Sequence, residues 1–405
     1  MDNETTIKFD KEFLSKFRNA SDLENYFSQM YKDALQTMLE GEMDNHLGYS
    51  KYARTDEEKD NYRNGKSKKN LKTKLGKVTL EIPRDRNGDF SPEIVQKHQT
   101  IMGDIEDKVL GLYRIGLTTR DIETEIKELY GINISDTEVS RITNRVLEQV
   151  RDWQSRPLDE MYLVIWMDGI FFKVKENHRL ISKAVYLIIG LNKQGYKEPL
   201  GMWINQTESS AFWLTVLDDL KKRGVKDIII SVSDNLTGLT EAINAVYPKC
   251  LTQVCIVHQI RNSLKYIASK DRREFVTMLK DVYQAPNRET AEKALDVLEI
   301  HWNKKYPAVI KSWRTNWDNL SIFFDFPSEI RKMIYTTNII ENANRVVRKY
   351  TKNRVLFPND EAVLKAVFLT MQHLENLWSV QKIVNWENAI NQFIILYPER
   401  VKIKI

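Results

Sequence analysis

YLVIWMDGIFFKV (Tyr162–Val174) is the stretch on which the fold turns. It is apolar, β-branched and aromatic over most of its length, which is the composition of a strand. Two runs of the same texture follow across polar turns, KAVYLIIGLN (Lys183–Asn192) and KEPLGMWIN (Lys197–Asn205), so the three read as a strand meander. ESSAFWLTVLDDLKKRG (Glu208–Gly224) is amphipathic and ends on glycine, hence a helix. IIISVSD (Ile228–Asp234) is a buried strand, GLTEAINAVYP a helix stopped by Pro248, and LTQVCIV (Leu251–Val257) another strand.

Three antiparallel strands followed by alternating helices and strands make an α/β sheet of the ribonuclease H type, in which Asp168 and Asp234 stand on adjacent strands. Asp168 lies near the middle of the first strand, where a lone carboxylate is costly to bury unless it is paired or binds a metal. Asp234 ends its strand, where α/β sheets place catalytic groups. Capping of the helix Gly238–Val246 is the alternative role for it. Two hard carboxylates with open positions suit Mg²⁺, with Mn²⁺ able to substitute. A third acid is offered by IYTTNIIENANRVVRKYTKNR (Ile334–Arg354), where Glu341, Arg345 and Arg348 share one helical stripe. That stripe can hold a metal and grip a phosphate backbone; a plain Glu341–Arg345 surface ion pair is the alternative.

Upstream, residues 1 to about 60 read as helical and polar, with Phe13, Phe17, Leu23 and Tyr26 as the buried positions. From Tyr62 to Lys77 the chain carries Arg63, Lys66, Lys68, Lys69, Lys72, Lys74 and Lys77 and no acid. Such a cluster suits phosphate neutralisation, and a solvated lysine face has the same composition. It runs into KVTLEIPRDRNG (Lys77–Gly88), where alternating Val78, Leu80 and Ile82 make a short strand before the turn signals Pro83 and Asn87-Gly88. Residues 104–150 read as a helical hairpin of the DNA-binding kind. Thr118 and Asp121 form a capping box, Ile122, Ile126 and Leu129 an apolar face, and Gly131 a stop. Ser135 with Glu138 opens a second helix with Val139, Ile142 and Val146 inward; Thr137, Ser140, Arg141, Asn144 and Arg145 face outward, as a recognition helix requires.

The 405 residues are 42% hydrophobic, 10% aromatic and 29% charged, enough for more than one domain and unlike a disordered chain. No apolar run is long enough for a transmembrane helix, and the polar, acidic amino terminus is not a secretory signal. Two cysteines, Cys250 and Cys255, make no disulfide framework, so a reducing cytoplasm is the expected compartment. The net charge of +5 is mild. Its clustering says more: Arg331, Lys332, Arg345, Arg348, Lys349, Lys352 and Arg354 form a second basic group opposed by Glu341 alone.

GVKDIIISVSD (Gly224–Asp234), CIVHQIRNSLKY (Cys255–Tyr266) and RKMIYTTNIIENANRVVRK (Arg331–Lys349), with SRITNRV (Ser140–Val146) upstream, resemble the Mutator-type transposases of bacterial insertion sequences, in the same order and over nearly the whole chain. The resemblance implies a ribonuclease H-like core with a DDE triad, which falls on Asp168, Asp234 and Glu341. It also implies a helical insertion between the last core strand and the glutamate helix, packed by Trp302, Trp313 and Trp317. Where the family has Asp-Gly this chain has Asp234-Asn235, and the family's Cys-x-x-His is Cys255 and His258. Two such ligands do not make a zinc site. His258 is read as contacting the scissile phosphate or orienting an acid, with a buried structural histidine as the alternative; Cys255 is read as core.

The expected architecture is an α/β ribonuclease H-like catalytic core interrupted by an all-α insertion and preceded by a mainly helical N-terminal DNA-binding region. Residues 1–100 would be the helical region with a basic β segment, 101–150 the helix-turn-helix-like module, 151–263 the first part of the core, 264–330 the insertion and 331–405 the C-terminal helical part. The expected function is transposition of an insertion sequence: binding of terminal inverted repeats, cleavage at the element end and joining of the 3′-OH to target DNA by two-metal-ion phosphoryl transfer. Asp168, Asp234 and Glu341 would hold metal with His258 assisting, while Lys66, Lys68, Lys69, Arg141, Asn144, Arg145, Arg261, Arg345, Arg348 and Lys349 would meet DNA. Joining two ends calls for a homodimer or larger assembly; no membrane and no nucleotide cofactor is expected, in keeping with the lack of a Walker-type phosphate loop. Two rivals are a ribonuclease H-fold nuclease, which needs neither the upstream module nor so long an insertion, and a transposase-derived DNA-binding regulator, whose sign would be a missing acid.

Overall fold

The structure, a computed structural model, describes residues 11–52, 60–73, 75–97, 99–335 and 337–402, so Lys74 of the first basic cluster lies outside the described residues. The chain divides into two compact units, Met1–Tyr113 with Leu117–Thr143, and Arg114–Gly116 with Asn144–Ile405.

In the first unit a one-turn helix, α1 (Lys11–Leu14), precedes the long α2 (Ala20–Leu47). Asn19 caps α2 by accepting from Asp22 N at 2.9 Å, and Gly48 closes it with φ 74°. The fully buried residues of α2 are Leu35, Leu39 and Met43; of the positions expected to be buried, Phe13, Phe17 and Leu23 are half-buried and Tyr26 is exposed. The rings of Phe13, Phe17 and Tyr26 meet edge to edge, while the later turns of α2 pack on a partner. That partner is a hairpin in which the basic stretch is itself a strand: β1 (Arg63–Thr73) pairs antiparallel with β2 (Gly76–Asp85). Leu71, Val78 and Leu80 close on Leu35, Leu39 and Val95. Helices α3 (Gly103–Arg114) and α4 (Thr119–Tyr130) follow, and α5 (Asp136–Ser155) begins in this unit and continues into the second. Thr118 and Asp121 form the capping box in both directions and Gly131 ends α4 at φ 65°. Ile122, Ile126, Val139 and Ile142 are buried, but Leu129 is 62% exposed; the apolar stripe runs out one turn before the Gly131 turn.

In the second unit β3 (Met161–Glu176), β4 (Arg179–Leu191), β5 (Lys197–Asn205), β6 (Asp227–Ser233) and β7 (Leu251–Val254) form one mixed sheet in the order β5-β4-β3-β6-β7. The first three are antiparallel neighbours, and β6 and β7 run parallel to β3. Helices α6 (Ser210–Lys222) and α7 (Leu239–Val246) cover one face, packing Trp213, Val216, Leu220 and Ile243 with Tyr162, Ile165, Met167 and Tyr186. The last strand is shorter than LTQVCIV suggests: it ends at Val254, and α8 (Ile256–Tyr266) starts directly after Cys255.

An all-helical stretch comes next: α9 (Arg272–Tyr283), α10 (Arg288–Trp302), α11 (Pro307–Thr315), α12 (Trp317–Leu320) and α13 (Ser328–Ile334). Its core holds Phe275, Leu279, Leu295, Trp302 and Trp313, while Trp317 is half-buried with Nε1 donating to Glu292 at 3.0 Å. The chain returns to the sheet with α14 (Asn338–Thr351), then α15 (Asp360–Trp378) and α16 (Trp386–Leu396). Among the described residues no helix is long and apolar enough to cross a membrane.

Candidate active site

Met167 belongs to the core beneath α6 and α7, so strand alternation turns Asp168 to the opposite face of β3. There the buried stripe of α14, Ile340, Ala343, Asn344 and Val347, packs over it. Asp168 is 9% exposed; its Oδ1 accepts from Gly169 N at 2.8 Å and its Oδ2 from the Asn344 side-chain amide. The parallel ladder of β3 and β6 ends on the pair Met167 and Ser233, so Asp168 and Asp234 are the next residues on neighbouring strands. Asp234 Oδ1 is buried with no hydrogen-bond partner among the described residues. Burial raises the pKa of Asp168; burial, then the Asp168 charge and Glu208, push Asp234 up to about 7. Two buried carboxylates thus stand next to each other in sequence register on neighbouring strands, and one oxygen of Asp234 has no donor among the described residues.

The β7–α8 turn brings a second set of groups. Cys255 N donates to Ser233 O at 2.8 Å, which sets the start of α8 beside the end of β6. One turn on, His258 Nδ1 lies 3.3 Å from Thr337 Oγ1, and that hydroxyl also lies 3.3 Å from Cys255 Sγ. Thr337 immediately precedes α14, whose first turn carries Glu341. Glu341 Oε1 is held by Arg261 Nη1 at 2.7 Å and His258 Nε2 at 3.3 Å. The Cys255 thiol first, then the charges of Asp234 and Asp168, hold His258 toward its protonated form, up to about 8, against the opposing effect of burial.

A divalent cation fits part of this arrangement. Asp168 and Asp234 supply adjacent hard oxygens, one of them unpartnered, and their raised pKa values report charge that a cation would neutralise. Glu341 is turned to its basic partners, and among the described residues no group of three or more His, Cys, Asp or Glu side chains is gathered closely enough to hold a metal. Sequence reasoning missed Glu208. It precedes α6, accepts from Tyr186 OH at 3.3 Å and from Thr237 N at 3.2 Å, and adds a third negative charge near Asp234. It also missed Asn344, which a helical wheel centred on Glu341 places on the apolar face. A buried amide inside an apolar stripe was the available signal.

The cations chosen from sequence are placed variously. Lys66 pairs with Glu40 at 2.5 Å, and half-buried Lys69 donates to the Gln96 carbonyl at 2.6 Å; Lys68 is exposed. The cluster is therefore not one basic face, because side chains of a strand alternate. Arg141 is exposed and donates to Thr100 Oγ1 at 3.3 Å, Arg145 is exposed, and Asn144 accepts from Lys365 Nζ at 2.8 Å. Arg345 donates to Asn342 Oδ1 at 2.8 Å; Arg348 and Lys349 are exposed on the same helix, and the Arg348 charge eases ionisation of Asp168.

A family model described as "Transposase, Mutator family" matches residues 2–381. The transposase for insertion sequence element ISRM3 of Rhizobium meliloti is 39% identical over 97% of this chain and 99% of its own length. The transposase for insertion sequence element IS905 of Lactococcus lactis is 33% identical over 88% of this chain and 90% of its own. The transposase for insertion sequence element IS256 in transposon Tn4001 of Staphylococcus aureus is 28% identical over 86% and 90%.

Proposed function

This chain belongs to the Mutator family of transposases, and from that premise we propose that it cuts and joins DNA at the ends of an insertion sequence through Asp168, Asp234 and Glu341. The observation that carries the reading is the side-by-side placement of Asp168 and Asp234 at the β3–β6 boundary, with a buried, unpartnered oxygen on Asp234. We read the sheet, three antiparallel strands with two parallel strands beyond the first, as a ribonuclease H-like core. Mg²⁺ (or Mn²⁺) held by Asp168 and Asp234, with Glu341 joining on release from Arg261 and His258, would neutralise the scissile phosphate and lower the pKa of the attacking water.

The chain's own groups do the rest. Asn344 and Gly169 N hold the Asp168 carboxylate in one orientation. His258, protonated at neutral pH, can donate Nε2–H to a phosphate oxygen once Glu341 has moved, while Nδ1 stays fixed by Thr337. Arg261, more than half exposed, then exchanges a carboxylate for a DNA phosphate. Arg345, Arg348 and Lys349 on α14 would track the backbone, and α4 and α5 would read the terminal repeats with Arg141 and Arg145 outward. The freed 3′-hydroxyl replaces water as nucleophile in the second step, so one phosphodiester is exchanged for another and no nucleotide is consumed. Two ends must be held together, which calls for a dimer or larger assembly. Two free, buried cysteines suit a reducing cytoplasm.

Strand cleavage of a labelled duplex carrying the element's end, with Mg²⁺ or Mn²⁺, tests the reading. Asp168→Asn, Asp234→Asn and Glu341→Gln should each lower cleavage by about a thousandfold or more while duplex binding survives. Calorimetric Mn²⁺ binding should weaken in the two aspartate variants even without DNA. Cutting that persists in one variant removes that acid from the site.

A further inference from the structure

The first unit holds a groove that the active site does not use. It has a volume of about 550 Å³ and lies between the β1–β2 hairpin and the segment following β2. Lys68 projects into it from β1, Arg84 from β2, and Arg86 and Lys97 from the following segment. All four are exposed, and none is ion-paired among the described residues. The one acid on the lining, Asp85, is buried and spent: it accepts from Asn61 Nδ2 at 2.6 Å and from the backbone N–H groups of Asp89 and Phe90 at 3.2 Å each. Asp89 and Glu93 line the neighbouring depression instead.

The walls are fixed rather than loose. Asn61 Oδ1 takes the N–H groups of Arg86 and Asn87 at 3.2 Å each, and Arg86 N also reaches Tyr62 O at 2.7 Å. Gly88 makes the turn at φ 76°, in the left-handed region that glycine tolerates. Glu42 receives Glu93 N and Ile94 N at 3.0 Å each, and Lys69, drawn inward, ties the hairpin to Gln96. A preformed groove carrying four unpaired cations and no available anion is complementary to a chain of phosphates.

We propose that this groove is a sequence-independent DNA-binding site that seats backbone phosphates of duplex DNA on Lys68, Arg84, Arg86 and Lys97. It rests on the reading of the chain as a DNA-acting transposase and adds to it a site remote in sequence from the catalytic acids. Point charges of this kind neutralise phosphates and read no bases, so the site contributes affinity to any duplex.

The test measures affinity of the full chain for a labelled terminal-repeat duplex and for an unrelated duplex, each as a function of salt. The variant Lys68→Gln, Arg84→Gln, Arg86→Gln, Lys97→Gln should lose affinity equally for both. Each phosphate contact contributes roughly 0.9 to the slope of log affinity against log salt, so the slope should fall by about three to four. A control lacking four exposed charges elsewhere, Lys221, Lys249, Lys280 and Lys304, should keep a slope near wild type. A folded groove variant with the wild-type slope, or an equal drop in the control, overturns the groove. Failure of the wild-type chain to bind either duplex overturns the underlying reading instead.

Discussion

At the scale of single residues, Glu208 is the group whose role follows most directly from geometry. Its carboxylate accepts from Thr237 N, three residues beyond Asp234, so it fixes the turn through which β6 enters α7. Gly238 closes that turn at φ 77°, and a Cβ there would collide with Ser210, so the turn is packed against the start of α6. Glu208→Gln keeps an oxygen for Thr237 N and removes the charge. Mn²⁺ affinity measured by calorimetry should then fall by roughly tenfold, the equivalent of ~1.4 kcal/mol. The melting temperature should stay within about 2 °C. An unchanged metal affinity would limit Glu208 to holding the turn.

At the scale of elements, the helices between α8 and α14 brace the helix that carries His258 and Arg261. Gln259 Nε2 donates to Ser312 Oγ at 2.9 Å, and Trp313 Nε1 donates to Ser263 Oγ at 2.9 Å, both joining α11 to α8. Gln253 on β7 bonds Leu320 O and Phe323 N, which pins the far side of the same turn. Trp313 is wholly buried, so Trp313→Ala should cost about 3–5 kcal/mol in chemical denaturation. Trp313→Phe retains most of the volume and should cost much less, the remainder coming from the lost Nε1–H donation, since the Ser263 hydroxyl still donates to Gln259 O at 2.8 Å. Equal costs for the two would mean that the packing of α11 on α8 contributes little.

At the scale of the whole molecule, Asp85 in the first unit and the Asp168–Asp234 pair in the second are shifted in opposite directions. Burial opposes ionisation of Asp85, but the Asn61 amide and the N–H groups of Phe90 and Asp89 outweigh it and bring the pKa down to about 2. Its contribution to stability is therefore present above the ordinary aspartate value near pH 4 and is lost as pH falls toward 2. Asp168 and Asp234 are raised, so protonation relieves the second unit as pH falls through 7 toward 4. Hydrogen exchange at pH 3 against pH 6 should show protection falling first in β1, β2 and the segment after them. Asp85→Asn should flatten that dependence. Earlier loss in β3 and β6 would reverse the assignment.

The strand meander, the α6, α7 and α14 helices and the neighbouring places of Asp168 and Asp234 were legible in the chain, because they rest on periodicity and on polar residues isolated in or at the end of apolar runs. The capping box at Thr118 was legible for the same local reason. Local pattern could not say which cations of Tyr62–Lys77 are occupied. That depends on strand alternation and on partners far along the chain, Glu40 for Lys66 and Gln96 for Lys69. Nor could it find Glu208 and Asn344, whose places are set by a parallel register and by the seating of α14 on β3. Periodicity records which side of an element is apolar; only the tertiary structure decides which polar groups from distant elements share the same small, poorly solvated space.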